Sequence, residues 1–321
     1  MRPWACHVDR VLSTAQSSSA AAHSRLAASW RRSVFKHGLD PADRRAPARI
    51  EAPALHRRRA ELDQFLAVAT RQIDSLFQLV ASSGCCVLLT DAEGVILDQR
   101  CDPGDAAVFR HWGLCEGAVW SEAVQGTNGI GTCLAESRAI TIHREDHFYA
   151  RNTGMSCMDA PIFGADGQIL AALDVSSARP EQTEAFNRLI AAMVVRTARA
   201  IEADNFRATY RGARIVIAED HDADAAVLLA IDQDDLVIGA TREARRVFGL
   251  GDKARITPRP AADLLGRGDG PAGFEKAERA AVIRALARSG GNVTQAARAL
   301  GVGRATLYRR MNRLGIGDSR P

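Results

Sequence analysis

Lysine is scarce in this sequence, where only Lys36, Lys253 and Lys276 occur among 321 residues. None of them follows a glycine, whereas a P-loop needs a lysine directly after a glycine-rich turn to hold phosphates. Long apolar runs are also missing, since no stretch approaches the roughly eighteen residues that a membrane-spanning helix requires. The first residues lack the apolar core of a signal peptide. We therefore expect a cytoplasmic protein with no membrane partner and no P-loop ATPase.

The seven cysteines include no Cys-x-x-Cys pair, so the common redox and zinc motifs built on that spacing are missing. Imidazole and thiolate groups suit zinc or iron, which makes His143, His147 and Cys157 a candidate metal set. Their spacing matches no standard closed site. We expect free thiols in a reducing compartment, with no metal and no cofactor.

Basic residues are concentrated at the C-terminal end of the chain. Between Phe274 and Pro321, ten residues are lysine or arginine and three are acidic, which gives this segment a charge of +7 (10 − 3). The whole chain has a formal charge of +4, so the remainder carries −3 (4 − 7). A basic terminal domain on a slightly acidic body is typical of a protein that binds nucleic acid.

The apolar pattern predicts an α+β fold. We expect a helix over 24–37 and a longer one over 55–82, then short β runs between 85 and 177 that a helix over 128–136 interrupts. With a closing helix over 181–206, this order predicts one antiparallel sheet with helices on one face. We divide the chain into an N-terminal helical and linker segment (1–54), a sensor domain (55–206), a short unit (207–255), a linker (256–272) and an all-α C-terminal domain (273–321).

The long helix has an apolar seam at alternating spacings of four and three residues. The seam consists of Leu62, Leu66, Ala69, Ile73, Leu76 and Val80. Such a stripe is compatible with pairing two chains as a coiled coil. It is equally compatible with one helix packed on its own sheet, because fewer than three heptads are present. The sequence leaves both alternatives open.

The C-terminal domain has the pattern of a helix-turn-helix. Three helices are predicted, over 274–288, 293–300 and 304–314. Asn292 or Thr294 can cap the second helix, and Gly301 permits the tight turn between the second and third helices. In the third helix Leu307, Met311 and Leu314 share one face, which leaves Thr306, Arg309 and Arg313 on the opposite side to face DNA.

This segment closely resembles the Fis-type helix-turn-helix of bacterial regulators over about 40 residues. The matching positions are Gly291-Asn292, Ala296-Ala297, Leu300-Gly301, Arg304, Thr306-Leu307-Tyr308-Arg309 and Gly315-Ile316. The resemblance implies that Arg304, Thr306 and Arg309 contact phosphates and base edges. The full set of candidate DNA contacts is Asn292, Thr294, Arg304, Thr306, Tyr308, Arg309, Arg310 and Arg313. The alternative is a basic three-helix bundle whose arginines are simply solvated.

The body of the chain resembles the acetoin-operon activator family over most of residues 24–250. The matching motifs are Ser29-Trp30-Arg31-Arg32-Ser33, Gly38-Leu39-Asp40-Pro41, Gly126-Thr127-Asn128-Gly129-Ile130-Gly131-Thr132, Asp146-His147-Phe148 and Cys157-Met158-Asp159-Ala160-Pro161-Ile162. The resemblance implies a GAF sensor domain over 61–203 and a shortened PAS-like unit over 213–250. Two positions depart from the family, since it usually has Glu at 146 and a small residue at 159. Most members also carry an ATPase domain between sensor and tail, which this chain lacks.

The resemblance implies a ligand pocket in the GAF domain. Candidate ligand-binding residues are Trp112, Trp120, Thr127, Asn128, His143, His147 and Cys157, which together offer apolar walls and a few polar groups. The alternative is that the tryptophans belong to the core and the histidines are satisfied surface groups.

Together these features predict a transcriptional regulator controlled by a small organic effector. Its expected partners are a double-stranded DNA operator and a second copy of itself, with RNA polymerase as a further candidate. One alternative is a constitutive DNA-binding protein with a vestigial sensor. Another is a GAF enzyme with a cysteine nucleophile, which we disfavour because no cysteine has a base or an electropositive helix start beside it in the sequence.

Overall fold

The computed structural model describes residues 3–179, 182–218, 225–251, 256–266 and 273–316. The chain divides into two compact units, Met1–Pro260 and Ala261–Pro321. The α-helices, in chain order, are α1 (Pro3–Gln16), α2 (Ser18–His23), α3 (Arg25–Arg31), α4 (Ala52–Glu61), α5 (Asp63–Val80), α6 (Ala106–His111), α7 (Glu122–Gln125), α8 (Gly129–Glu136), α9 (Glu184–Thr209), α10 (Arg242–Val247), α11 (Ala261–Leu264), α12 (Phe274–Arg288), α13 (Val293–Ala299) and α14 (Arg304–Arg313). The strands are β1 (Cys85–Thr90), β2 (Ile96–Arg100), β3 (Ile140–His143), β4 (Ser156–Phe163), β5 (Ile169–Ser177), β6 (Arg214–Ile217), β7 (Leu228–Ile231), β8 (Leu236–Ala240) and β9 (Arg259–Pro260).

The central sheet has five antiparallel strands in the order β2-β1-β5-β4-β3. One of its faces packs against α5 and α9, where Ile73, Leu76, Ile190 and Val194 are all buried. Fully burying one such side chain contributes about 1.5–3 kcal/mol. This layer therefore supplies much of the stability of the domain, and it confirms the predicted antiparallel α+β arrangement.

The opposite face of the same sheet is also covered, so the expectation of helices on one face is wrong. Helix α8 packs there through Ile130 and Cys133, together with the segment that contains Phe109 and Trp120. Because side chains alternate along a strand, Cys86 and Leu88 of β1 point into this second layer while Cys85, Val87 and Leu89 point into the first. All six residues of β1 are buried for that reason.

The apolar seam of the long helix is used within the chain. Ala69, Ile73, Leu76 and Val80 are buried against the sheet, so the alternative of one helix packed on its own sheet is correct. The single helix expected over 55–82 is wrong in one respect, because the backbone of Leu62 leaves helical geometry and separates α4 from α5.

The N-terminal segment is more helical than expected, since α1 and α2 precede the helix predicted near residue 24. That helix continues from α3 through a π-helical turn, Arg32–Lys36, and ends at Gly38, which has a φ of +65°. Val11, Trp30, Phe148 and Tyr149 form a small core between this segment and the sensor domain.

The smaller unit is a second antiparallel sheet, ordered β6-β7-β8-β9. The short unit predicted over 207–255 contains β6, β7, β8 and α10, and β9 extends the sheet beyond its expected end. Leu228 and Ala230 of β7 pack against Phe206 near the end of α9. The long helix of the sensor domain therefore leads directly into this sheet. The PAS-like assignment stays a prediction.

Candidate functional site

The C-terminal unit is built around a small core shared by α12, α13 and α14. Its buried members include Val282, Ala296, Ala297, Leu307 and Met311. The two alanines of α13 allow the close helix crossing that the sequence predicted. Asn292 caps α13, because its side-chain oxygen accepts from the amides of Thr294 and Gln295 at 3.1 and 3.2 Å.

The outer face of α14 follows from this core. Leu307 and Met311 are 0% and 4% exposed, so the side of the helix opposite them faces solvent. Arg309 is exposed on that side, as are Ala305 and Asn312. A helix with an arginine and an amide free on its outer face is suited to enter a major groove.

Two of the predicted DNA contacts are already engaged within the unit. Arg310 pairs with Glu278 of α12 at 3.2 Å, and Arg313 pairs with the same carboxylate. These two ion pairs tie α14 to α12 and hold the helix in place. Arg310 and Arg313 are therefore suited to orient the outer face of α14. To contact a DNA phosphate, either arginine would first have to break its ion pair with Glu278.

The remaining predicted contacts lie around the start of α14. The Arg304 guanidinium carbon lies 5.6 Å from the centre of the Tyr308 ring, and Thr306 and Tyr308 are half-buried. Thr294 is exposed at the start of α13. Asn312 was missed by the sequence reasoning. Its position one turn after Arg309 was the available signal, since residues three apart lie on the same helix face.

A buried polar cluster lies in the second layer of the sensor domain, between the sheet and α8. His147 Nδ1 donates to the Arg144 carbonyl at 2.9 Å, so its Nε2 is free to accept from the Cys157 thiol, 3.4 Å away. Burial lowers the pKa of His147 to about 4 and raises the pKa of Cys157 well above its usual value. Imidazole and thiol are therefore both neutral. A neutral, buried thiol is a poor nucleophile, which argues against cysteine-based catalysis here.

Two carboxyls extend this cluster, and the sequence reasoning did not place them together. Asp159 of β4 lies directly opposite Asp174 of β5, and both are buried, at 2% and 0% exposure. Ser176 lies 3.2 Å from Cys157 Sγ and donates to Asp174 Oδ2 at 2.8 Å. Both Asp159 oxygens and Asp174 Oδ1 have no hydrogen-bond donor in the described part of the chain.

Burial and mutual proximity favour a state in which this pair of carboxyls keeps a proton. Burial raises the pKa of Asp174 to about 7, and burial next to Asp174 raises the pKa of Asp159 well above its usual range. The same contact explains one glycine of the Gly126–Thr132 motif. Any side chain at Gly129 would collide with Asp159, so the first turn of α8 approaches the carboxyl only because position 129 is glycine.

The other predicted ligand contacts are distributed around this cluster. Trp120 is 1% exposed and its indole donates to the Gly113 carbonyl at 3.0 Å. Trp112 packs beside it on the same layer. His143 lies on the opposite face of the sheet from Cys157, because its partner in β4 is Ser156. The structure therefore does not bring His143 together with His147 and Cys157. Throughout the described ranges, no group of three His, Cys, Asp or Glu side chains is placed to hold a metal ion.

Thr127 and Asn128 hold structural elements together. Asn128 caps α8, accepting from the Gly131 amide at 2.8 Å. Thr127 Oγ1 lies 2.7 Å from Ser29 Oγ, which donates to the buried carboxylate of Glu122. Arg32 pairs with the same carboxylate at 2.7 Å. The Ser-Trp-Arg-Arg-Ser and Gly-Thr-Asn-Gly motifs thus meet at one interface between the N-terminal helices and the sensor domain.

Comparison with known proteins matches two regions of the chain to families. The GAF domain family matches residues 61–203, and the Fis family of bacterial regulatory proteins matches residues 273–314. The chain contains a GAF domain and a Fis-type helix-turn-helix. The first match covers the five-stranded sheet with α5, α8 and α9, and the second covers α12, α13 and α14.

Acetoin regulators are among the relatives of this chain. The acetoin catabolism regulatory protein of Cupriavidus necator is 35% identical over 74% of this chain and 36% of its own length. The acetoin dehydrogenase operon transcriptional activator of Bacillus subtilis is 28% identical over 47% of this chain and 25% of its own length. The chain thus spans about a third of the first relative and a quarter of the second.

A solved structure has a similar fold over much of this chain. The Escherichia coli DhaR(N)–DhaL complex contains a chain with a TM-score of 0.52 and 15% identity, matched over 74% of this chain and 81% of that one. Within the described ranges no helix of this protein is long and apolar enough to cross a membrane.

Proposed function

We propose that this protein is a sequence-specific DNA-binding transcriptional regulator, controlled by a small organic effector in its GAF domain and acting without ATP hydrolysis. The observation that carries the proposal is the outer face of α14. Arg309 is exposed there, while Glu278 holds the neighbouring Arg310 and Arg313. A recognition helix that is tied to α12 by ion pairs and presents the exposed guanidinium of Arg309 on its outer face is suited to read a guanine edge.

The experiment for DNA recognition is selection of bound sequences from a random duplex library with the full-length chain. We expect a discrete motif that binds about a thousandfold or more tighter than random DNA. Binding without any enriched motif would favour a non-specific DNA-coating protein and contradict the proposal.

The buried cluster of the GAF domain supports an effector site. It combines a thiol, an imidazole and two carboxyls with the apolar walls of Trp112 and Trp120, a composition typical of small-molecule pockets. A thermal-shift screen of ketones, diols, aldehydes and aromatic acids tests this. A bound effector at a hundred times its dissociation constant stabilises the folded state by about 2.7 kcal/mol. A constitutive regulator with a vestigial sensor would bind its operator normally and respond to none of these compounds.

We also propose that the protein is not an enzyme. The chain has three lysines, none after a glycine, and only residues 204–272 separate the two matched regions. That interval is too short for an ATPase domain. Purified protein should therefore not hydrolyse ATP with or without its operator, and a turnover that survives further purification would contradict this.

A homodimer is the proposed DNA-binding form, because paired recognition helices on two half-sites bind tightly where one does not. The seam of α5 is buried in its own domain, so the interface must lie elsewhere. Leu79 of α5 and Leu189 of α9 are 68% and 58% exposed and are the candidate contacts, with α12 as a second candidate. Light scattering should report two chains per particle in wild type and fewer in Leu189→Glu. RNA polymerase remains a further proposed partner, and a cytoplasmic location is proposed because a regulator must reach its operator.

A further inference from the structure

A cavity of about 200 Å³ lies where the GAF domain meets the smaller sheet. Its walls come from the end of β4, from α9 and from the start of α10, all within the first compact unit. It is separate from the buried cluster around Cys157. Its volume is below the roughly 300 Å³ of the smallest drug-sized pockets, so an occupant has only a few heavy atoms.

Three guanidinium groups line this cavity, from Arg138, Arg199 and Arg242. Arg138 Nη1 is buried without a hydrogen-bond acceptor in the described residues. Arg242 stacks on the Phe163 ring with its guanidinium carbon 3.9 Å from the ring centre. Among the described ion pairs, none involves Arg199 or Arg242.

The acids at the cavity do not balance these cations. Glu243 pairs with Arg246 at 2.6 Å, so Glu202 is the described lining acid without an arginine ion pair of its own. Glu202 Oε1 accepts from the Phe163 amide at 2.8 Å. Burial raises the pKa of Glu202 to about 7, although Arg199 and Arg242 oppose that rise. Among the described lining residues, three guanidinium groups therefore face Glu202 and Glu243, and the charge of Glu243 is already offset by Arg246.

We infer that this cavity binds a small oxyanion, a phosphate or a short carboxylate, between the GAF domain and the smaller sheet. Guanidinium groups suit this chemistry because they offer planar pairs of N–H donors that match carboxylate and phosphate oxygens. A bound oxyanion would supply the missing acceptor for Arg138 Nη1. It would also connect α9 with α10, and so join the sensor domain to the sheet that follows it in the chain.

The test is calorimetric titration of the full-length protein with inorganic phosphate and, separately, with malonate, each against sodium chloride at matched ionic strength. We expect saturable binding of at least one of the two oxyanions and none of chloride. Which of them binds more tightly identifies phosphate or carboxylate as the natural chemistry. Failure of both to bind overturns the inference and leaves the proposed DNA-binding function unaffected.

Two variants of lining residues and one control variant outside the cavity test whether the oxyanion binds in this cavity. Arg199→Gln should weaken the bound oxyanion at least about tenfold, because it removes a charge-assisted pair. Arg196→Gln, exposed on the same helix and outside the cavity, should bind like wild type. Glu202→Gln keeps an oxygen for the Phe163 amide and removes the opposing charge, so it should bind several times more tightly. Unchanged affinity in both Arg199→Gln and Glu202→Gln would overturn the assignment.

Discussion

The outer face of α14 and the buried cluster of the GAF domain are opposite kinds of candidate site. On the outer face of α14, Arg309 and Asn312 are exposed and lie about one helical turn apart. In the GAF domain the polar groups are enclosed, and Asp159 and Asp174 come together only because β4 and β5 pair in one register. We propose that the first surface binds DNA from outside by electrostatics and shape, and that the second responds to an effector or to a change in protonation.

The largest effect is expected where the recognition face depends on its core. Leu307→Ala removes a fully buried side chain and should lower the free energy of unfolding of the helix-turn-helix by about 2–5 kcal/mol through the cavity it leaves. DNA binding should be lost together with helical structure. Thermal unfolding followed by circular dichroism measures this, with Arg309→Ala as the control that removes an exposed side chain of the same helix. Equal stability of the two variants would show that the core face is misassigned.

The acid pair should make stability depend on pH in an unusual direction. The folded-state pKa of Asp174 is about 7, above the value of about 3.9 in an unfolded chain, so the folded protein holds a proton that the unfolded chain releases. The free energy of unfolding therefore falls as pH rises from about 4 through about 7. Asp159→Asn keeps a donor for Asp174 and cannot ionise, so it should be more stable than wild type at neutral pH and above.

Chemical denaturation across pH measures the difference between this variant and wild type. The gap should open as pH rises above about 4, where Asp159 ionises in the unfolded chain, and should widen through neutral pH because burial next to Asp174 raises the folded-state pKa of Asp159. Below about pH 4 the gap should close. His147 has the opposite effect on stability. Its folded-state pKa is about 4, so the unfolded chain gains a proton as pH falls below about 6.5, and the free energy of unfolding falls with it. His147 is present in both proteins and cancels from the difference. Asp234→Asn makes the same substitution at an exposed position and should leave the profile unchanged; a pH-independent gap for Asp159→Asn would contradict the proton kept by the acid pair.

A smaller effect is expected at the interface of the N-terminal helices. Ser29→Ala removes the hydroxyl that bonds Glu122 and Thr127, and it leaves buried acceptors short of a donor at a cost of about 1–2 kcal/mol. Ser33→Ala is the matched control, because the Ser33 hydroxyl donates to the Ser29 carbonyl of its own helix at 3.0 Å. Denaturant titration of both variants should rank Ser29→Ala as the less stable. The reverse ranking would show that the contact of Ser29 with Glu122 and Thr127 does not stabilise the GAF domain.

The smallest effect on DNA binding is expected for Arg304, at the start of α14. Its guanidinium rests near the Tyr308 ring and is free to meet a phosphate beside the helix N-terminus. Arg304→Ala should weaken specific and random DNA alike, and the slope of log affinity against log salt should fall by about one. Fluorescence titrations over a salt series measure this, with Arg284→Ala as the control for charge. A loss confined to the specific site would instead make Arg304 a base contact.

The two regions also differ in how far the sequence predicted them. Helical periodicity placed Leu307, Met311 and Leu314 on one face, and the third helix and its core were confirmed. The pairing of Arg310 and Arg313 with Glu278 was not predictable, because α12 is remote in sequence and only the packed unit brings Glu278 within reach. In the GAF domain all five strands of the described sheet lie between 85 and 177, where the short β runs were predicted.

The acid pair could not be predicted in the same way. Asp159 was noted as a departure from a family pattern, but its partner Asp174 lies in a strand whose register depends on the whole sheet. The alternation of β1 was likewise hidden, since a strand buried on both faces shows no polar side. Thr127 and Asn128, expected at a pocket, are engaged in the contact with Ser29 and in the cap of α8. Their part in ligand binding stays a prediction.

The central claim, that the outer face of α14 reads DNA sequence, is tested most directly by selecting bound sequences with wild type, Arg309→Ala and Arg284→Ala. Both variants lose one positive charge at an exposed position, and only Arg309 lies on the proposed reading face. We predict that wild type and Arg284→Ala enrich the same motif. Arg309→Ala should bind that motif about 1–3 kcal/mol more weakly and lose its preference at one base position. If Arg309→Ala stays folded and enriches the unchanged motif with wild-type affinity, α14 does not read DNA through this face.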